Sequence, residues 1–281
     1  MQKMNILVTL NENYILYFNV MLSSLLHSNP NSYFYVYLLH SSVPDEATVE
    51  TKRILGNSGR LISIRVDDIG LDGATTTSLY PQEIYYRIFA AKYLPQDLDR
   101  VLYLDPDLIV NGAISELYNL PMGDYYFAAA SHIGSMLHKA NELRLGMDED
   151  SPYINSGVML MNLKRLRVEQ NYQEVFDFIE KRKNFLTLPD QDIISALYGS
   201  KILALDSFRY NMTEWLYMQH APFEKSLDLD WIRKHSVIIH YCGRNKPWKS
   251  RYLGELDVFY KETVAHMEQV ADRGKYLCTV Y

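Results

Sequence analysis

Short apolar runs rich in β-branched and aromatic residues recur along the chain, at 5–10 (NILVTL), 33–39 (YFYVYLL), 61–66 (LISIRV) and 101–105 (VLYLD). Their length and composition predict strands, and segments with helical apolar spacing lie between them. The first third therefore predicts β-α-β-α-β-α-β, which builds a mainly parallel sheet covered by helices on both faces. The first predicted helix, about 14–27, places Ile15, Phe18, Met21, Leu22, Leu25 and Leu26 on one broad stripe. A second is predicted from Pro44, where Asp45 and Glu46 suit the positive end of the helix dipole, to the GNSG at 56–59. A third covers 82–94 and stops before Pro95.

Beyond residue 110 the pattern is less regular, with further strands predicted in YYFAAA (125–130), VMLMNL (158–163), ILAL (202–205) and SVIIHY (236–241). Past Arg251, residues Leu256, Phe259, Tyr260, Val264 and Met267 form the stripe of an amphipathic helix. Glu255, Asp257, Glu262 and Glu268 interrupt its positive charge, which predicts packing against the domain rather than anchoring in a membrane. No internal repeat, low-complexity tract or flexible linker breaks the chain. The expectation is one compact α/β domain over 1–250, with 251–281 as a helical extension packed on it.

Composition narrows the function classes. A net charge of -6 with dispersed basic residues supplies no cationic face for a phosphodiester backbone, so nucleic acid is not an expected partner. Two cysteines, Cys242 and Cys278, build no disulfide framework and suit a reducing compartment. The N-terminal apolar run is too short for a signal-peptide core. The expected location is the cytoplasm, with at most weak peripheral contact at the inner face of the membrane.

One interruption of the apolar pattern carries chemistry. Within VLYLDPDLIV (101–110), Asp105 and Asp107 flank Pro106. In extended chain, residues two apart point to the same side, so the carboxylates converge while Pro106 faces away. Two such carboxylates repel unless a cation or protons compensate, and Mg²⁺ or Mn²⁺ prefers oxygen ligands of this kind. A turn in which the Asp side chains bond backbone amides is the alternative. The location raises ligation to parity with the turn, because open α/β sheets bind ligands at the carboxyl ends of their strands.

HYCGRNKPW (240–248) occupies a second strand end. There His240 offers an imidazole ligand, Gly243 permits close backbone approach, and Lys246 supplies a point charge for phosphate. At the first strand end, NENY (11–14) is neither a dinucleotide loop nor a P-loop. Its Asn11 and Asn13 amides can pair with a base edge and Tyr14 can stack on a base, while helix capping by Asn13 is an equal alternative.

Taken in order, NENY, YYRIFAAKYLP (85–95), VLYLDPDLIV, YINSGVMLMNL (153–163), LPDQDII (188–194) and HYCGRNKPW resemble glycosyltransferase family 8. That family includes lipopolysaccharide galactosyl- and glucosyltransferases, glycogenin and general-stress glycosyltransferases. The resemblance implies a GT-A-like fold with a mixed, mainly parallel sheet, a UDP-glucose or UDP-galactose donor, Mn²⁺ (or Mg²⁺), and transfer to a saccharide or glycoconjugate acceptor with retention of configuration. It further implies that Asp105, Asp107 and His240 are metal ligands. Asn11, Asn13 and Tyr14 match the uridine-binding turn, Gly243 and Lys246 the diphosphate contacts, Arg87 a donor-binding arginine, and Asn155, Asp190 and Gln191 positions around the transferred sugar. Asn11 stands where relatives often carry Asp, and AAASHIG (128–134) lacks a carboxylate that some galactosyltransferases use. Two other functions compete: a sugar-phosphate nucleotidyltransferase, disfavoured because no glycine-rich basic loop opens the chain, and a non-catalytic UDP-sugar-binding protein.

Overall fold

A computed structural model describes residues 1–67, 82–149 and 151–278, the side chains of residue 135 and of residues 271–278 apart. The predicted alternation gives strands β1 (Gln2–Thr9), β2 (Ser32–His40), β3 (Gly59–Arg65) and β4 (Arg100–Leu104). They are followed by β5 (Leu108–Val110), β6 (Phe127–Ala130), β7 (Val158–Asn162), β8 (Ile202–Leu205) and β9 (Ile238–His240). Seven of them form one sheet in the order β3-β2-β1-β4-β7-β6-β8. Only β7 runs against its neighbours there: β4 and β6 pair with it antiparallel, and the other pairings are parallel.

Alternation along the strands buries both faces of this sheet. Met4, Ile6 and Val8 of β1 join Leu102, Leu104, Val158 and Leu160 on one side, against the helix Ile15–Ser28. Leu7 joins Tyr103, Met159 and Met161 on the other, with Ile193 and Ile194 of the helix Pro189–Tyr198. A sheet with apolar layers on both faces reads in sequence as near-continuous hydrophobic strands, which is the pattern the chain shows.

Two predicted helices differ in detail. The segment from Asp45 starts as one 3-10 turn to Thr48 before the helix Val49–Leu55. The 82–94 segment splits into Glu83–Tyr86 and Ala90–Tyr93. Between them Ile88 and Phe89 donate to the carbonyls three residues back, at 3.0 and 3.1 Å. Every residue from Tyr85 to Ala91 is buried. A regular one-sided helix cannot bury seven consecutive side chains, so the turn tightens and Arg87 enters the interior.

The stretch 101–110 also divides, because β4 ends at Leu104 and β5 begins at Leu108 in a different sheet, paired antiparallel with β9. The strand predicted in SVIIHY therefore lies outside the main sheet. The C-terminal helix spans Asp257–Cys278, and Leu256, Phe259 and Tyr260 are buried in an apolar cluster with Ile109, Met212 and Ile239. Among the described residues no helix is long and apolar enough to cross a membrane.

Candidate active site

Topology gathers the polar residues at one edge of the sheet. The carboxyl ends of β1 and β4 lie there, and because β7 is reversed its amino end, preceded by Asn155, Ser156 and Gly157, lies there too. The Asp105 N–H donates to the Gly157 carbonyl at 2.8 Å, which ties the two chain segments together. The small sheet supplies the third segment. Its register sets Leu108 opposite His240, and the Tyr241 N–H donates to the Asp107 carbonyl at 3.0 Å.

Asp105, Asp107 and His240 consequently meet. One ligand atom from each lies within 4.8 Å of the others. His240 Nε2 is 3.2 Å from Asp107 Oδ1 and 3.6 Å from Asp105 Oδ2. The Asp107 and His240 atoms are buried without a hydrogen-bond partner. Buried polar atoms left unpaired are costly, and two carboxylate oxygens converging on an imidazole nitrogen form the donor set of a divalent cation. The residues present therefore fit the metal that the sequence implies. Gly157 forms the floor: a Cβ there would stand 2.2 Å from His240 Cε1 and 2.7 Å from Asp105 Oδ2.

Cationic side chains surround the cluster. Lys246 is buried, donates to the Tyr241 carbonyl at 2.9 Å and pairs with Asp107 Oδ2. Burial pushes the Asp107 carboxyl up, but Lys246 and His240 outweigh it and hold the group well below the usual carboxylate range. Asp105 spends its Oδ1 elsewhere, accepting from the Tyr103 hydroxyl at 2.5 Å and from Arg87 at 3.0 Å, which leaves Oδ2 for the cluster.

Arg87 bridges two acids. Its second terminal nitrogen lies 3.0 Å from Asp190 Oδ2, and its guanidinium sits over the Tyr103 ring at 4.3 Å. Ser156 donates to the same Asp190 oxygen at 2.7 Å. Burial raises the Asp190 carboxyl against the pull of Arg87 and Ser156. Asp190 and Gln191 occupy the first turn of the helix Pro189–Tyr198, and Gln191 hydrogen-bonds the Tyr153 phenol. That turn is clamped by Asp192, which accepts from Arg144 at 2.7 and 2.9 Å, from Tyr153 at 2.7 Å and from the Thr187 N–H at 2.7 Å.

The NENY turn flanks this cluster. Asn11, not Asn13, is the cap: its Oδ1 accepts from the Asn13 N–H at 3.1 Å and opens the 3-10 turn Glu12–Tyr14. Extended backbone at Asn11 places its side chain over that N–H, whereas Asn13 already lies inside the turn and is exposed. Tyr14 meets Tyr17 edge to face, and Tyr17 stacks on Trp248 at 3.7 Å, so aromatic rings join this turn to the Lys246 loop. Gly243 adopts φ +78° and faces open space, a backbone that L side chains rarely adopt.

Sequence reasoning passed over four residues here. Tyr103 was placeable, since it precedes Asp105 by two at the end of β4. Ser156 and Gly157 lie within YINSGVMLMNL without a pattern of their own. Asn211, whose Oδ1 is 3.0 Å from His240 Nδ1, gave no signal, because nothing in its local sequence indicates contact with a distant strand.

The family model for glycosyl transferase family 8 matches residues 5–251. The lipopolysaccharide 1,2-glucosyltransferase of Escherichia coli is 27% identical over 244 residues, which cover 85% of this chain and 71% of that protein. General stress protein A of Bacillus subtilis (strain 168) is 26% identical over 193 residues, 66% of each chain. Among solved structures, the galactosyltransferase LgtC in complex with donor and acceptor sugar analogues superposes with a TM-score of 0.80 at 22% identity, over 94% of this chain and 96% of that one. The glycosyltransferase GlyE of Streptococcus pneumoniae TIGR4 gives a TM-score of 0.70 at 25% identity, over 94% of this chain and 60% of its own. The fold is the mixed, mainly parallel GT-A sheet seen in LgtC. With so little of its length outside the family match, the chain belongs to glycosyl transferase family 8.

Proposed function

We propose that this protein is a retaining hexosyltransferase. It moves glucose or galactose from a UDP-sugar to a saccharide acceptor, in the synthesis of lipopolysaccharide or another cell-envelope glycan. The observation that carries the reading is the pair of buried, unpartnered atoms, Asp107 Oδ1 and His240 Nε2, facing Asp105 Oδ2. Asp105, Asp107 and His240 would hold Mn²⁺ or Mg²⁺, which when bound supplies Lewis-acid neutralisation of charge on a leaving diphosphate. The E. coli and B. subtilis relatives and the likeness to LgtC support sugar transfer as the reaction class.

The chain's own residues divide the remaining work. Lys246 is a fixed cation beside the acidic pair, suited to a phosphate oxygen. Gly243 leaves the adjacent backbone open to a close ligand. Asn11 and Tyr14 stand at the neighbouring turn, where an amide and a phenol ring suit the edge and face of uracil, and exposed Asn13 is available beside them. Arg87 links the metal-side carboxylate Asp105 to Asp190, so the donor end and the sugar end are oriented by one guanidinium. Asn155, Asp190 and Gln191 offer hydrogen bonds to sugar hydroxyls. Asp190 has one oxygen committed to Arg87 and Ser156, and the Gln191 amide is a weak nucleophile. Same-face attack by the acceptor is therefore favoured over a covalent intermediate.

Release of UDP from UDP-glucose and UDP-galactose, assayed in metal-depleted buffer and after adding Mn²⁺, tests the reading. Turnover is expected only with metal, and Asp105→Ala or Asp107→Ala should lower it by about 10³-fold while circular dichroism stays native. Wild-type rates without metal, or in either variant, reject the proposal. A glycosylated Gln191 or Asp190 peptide in mass spectrometry would replace same-face attack by the covalent route.

A further inference from the structure

Asn211 is fully buried one residue past the short helix Ser207–Tyr210, far in sequence from every residue it serves. Its Nδ2 is 3.0 Å from Asn155 Oδ1, and its Oδ1 is 3.0 Å from His240 Nδ1. The direction of this chain of hydrogen bonds follows from one backbone group. The Gly157 N–H lies 3.1 Å from the Asn155 amide and can only donate, so an oxygen must face it. That oxygen also meets the Asn211 side chain, which must therefore present its NH₂ group there. The Asn211 oxygen is then turned to His240, and since an amide oxygen only accepts, His240 Nδ1 carries the hydrogen.

The consequence falls on the other ring nitrogen. In a neutral imidazole with hydrogen on Nδ1, the Nε2 lone pair faces Asp107 Oδ1 at 3.2 Å and Asp105 Oδ2 at 3.6 Å. The opposite tautomer would donate from Nε2 to Asp107 and close the cluster to a cation. The ring is crowded on its Nε2 side, where a Cβ at Gly157 would stand 2.2 Å from Cε1 and 2.9 Å from Nε2.

We infer that Asn211 is a positioning residue that fixes the Nδ1–H tautomer of His240 and so keeps Nε2 open to a divalent cation. The metal part of this inference rests on the reading of Asp105, Asp107 and His240 as ligands. The tautomer part stands without it.

Two measurements test it. Long-range proton–nitrogen correlation spectra of metal-free protein with isotope-labelled histidine, recorded where the imidazole is neutral, should show His240 with a protonated Nδ1 and a bare Nε2. A protonated Nε2 overturns the inference whether or not the protein binds metal. Mn²⁺ binding, followed by the paramagnetic resonance of free Mn²⁺, should weaken by about 10–100-fold in Asn211→Leu. Asn211→Asp, which keeps an acceptor on His240 but loses the NH₂ given to Asn155, should recover part of that loss. Wild-type affinity in Asn211→Leu, or equal loss in both variants, overturns the positioning role. Failure of the wild-type protein to bind Mn²⁺ rejects the ligand reading and the metal part together, and the spectra then decide the tautomer. If Asn211→Leu does not fold, Asn211→Asp and the spectra decide the outcome.

Discussion

The interior of the seven-stranded sheet and the inner residues of the polar cluster at its strand ends are buried to a similar degree, yet they tolerate change differently. Met159 and Leu160 are 0% exposed, and so is Asn211, with His240 at 2%. Apolar burial is non-directional, so a Leu in β7 contributes through the area it removes from water, and its neighbours can adjust. In the cluster each atom has an assigned direction: Asp105 Oδ1 to Tyr103 and Arg87, Oδ2 to the opening, Asn211 Nδ2 to Asn155 and Oδ1 to His240. Removing one partner there strands another. Stability resides mainly in the first region, and the second is the candidate site of the chemistry.

The largest effect expected from this contrast is at their boundary. Gly157→Ala adds one methyl group where His240 and Asp105 already stand at 2.2 and 2.7 Å from its ideal position. It should weaken Mn²⁺ binding by about 100-fold or more, while overpacking costs the fold about 1–3 kcal/mol. Titration of Mn²⁺ alongside a melting curve separates the two, and an unchanged affinity would show that the floor of the cluster yields. Leu160→Ala, in the sheet interior, should reverse the pattern. Urea denaturation is expected to reveal a loss of about 2–5 kcal/mol, with Mn²⁺ affinity within twofold of the parent. A collapse of affinity there would mean that the regions are not separable.

A subtler test concerns His132, half-buried beside the cluster, whose Nε2 donates to the Asn211 carbonyl at 2.7 Å. Burial, together with the neighbouring His240, holds its imidazole down to about 4 from an ordinary value of 6.5. Between those values the unfolded chain binds a proton that the native protein refuses, so stability falls as pH falls. From pH 7 to pH 5 the loss should be about 2 kcal/mol, and His132→Asn should flatten it. Parallel stability–pH curves for the two proteins would refute this. The smallest effect belongs to the surface: Glu50→Gln removes the exposed pair with Arg53 and should cost about 0.3 kcal/mol in the same assay, vanishing in high salt.

Legibility in the sequence followed the same division. The runs NILVTL and VLYLD, and the stripe from Ile15 to Leu25, appear as β1, β4 and the first helix because alternation and 3.6-residue spacing are properties of neighbouring residues. Asp105 and Asp107 do converge, but across the turn between β4 and β5 rather than along one extended strand, so alternation pointed to the pair without describing the backbone that joins it. The break at Arg87 was not visible, since the burial of Tyr85 to Ala91 on every side, and the acids Asp105 and Asp190 that meet the guanidinium, come from residues distant in the chain. Nor was β5, whose three residues become a strand only by pairing with β9. The cap at Asn11 rather than Asn13 turned on a single backbone torsion that composition does not encode.

By itself the sequence determined the layered α/β architecture, the apolar faces of its strands and helices, and the resemblance that pointed to glycosyl transferase family 8. Each of these is written in local periodicity or in ordered motifs. Only the tertiary structure decided that the reversed strand β7 brings Asn155 and Gly157 beside Asp105, that the β5–β9 register sets His240 against Asp107, and that Asn211 orients the ring. Such contacts depend on strand order and on the direction of individual hydrogen bonds, which a one-dimensional pattern does not contain.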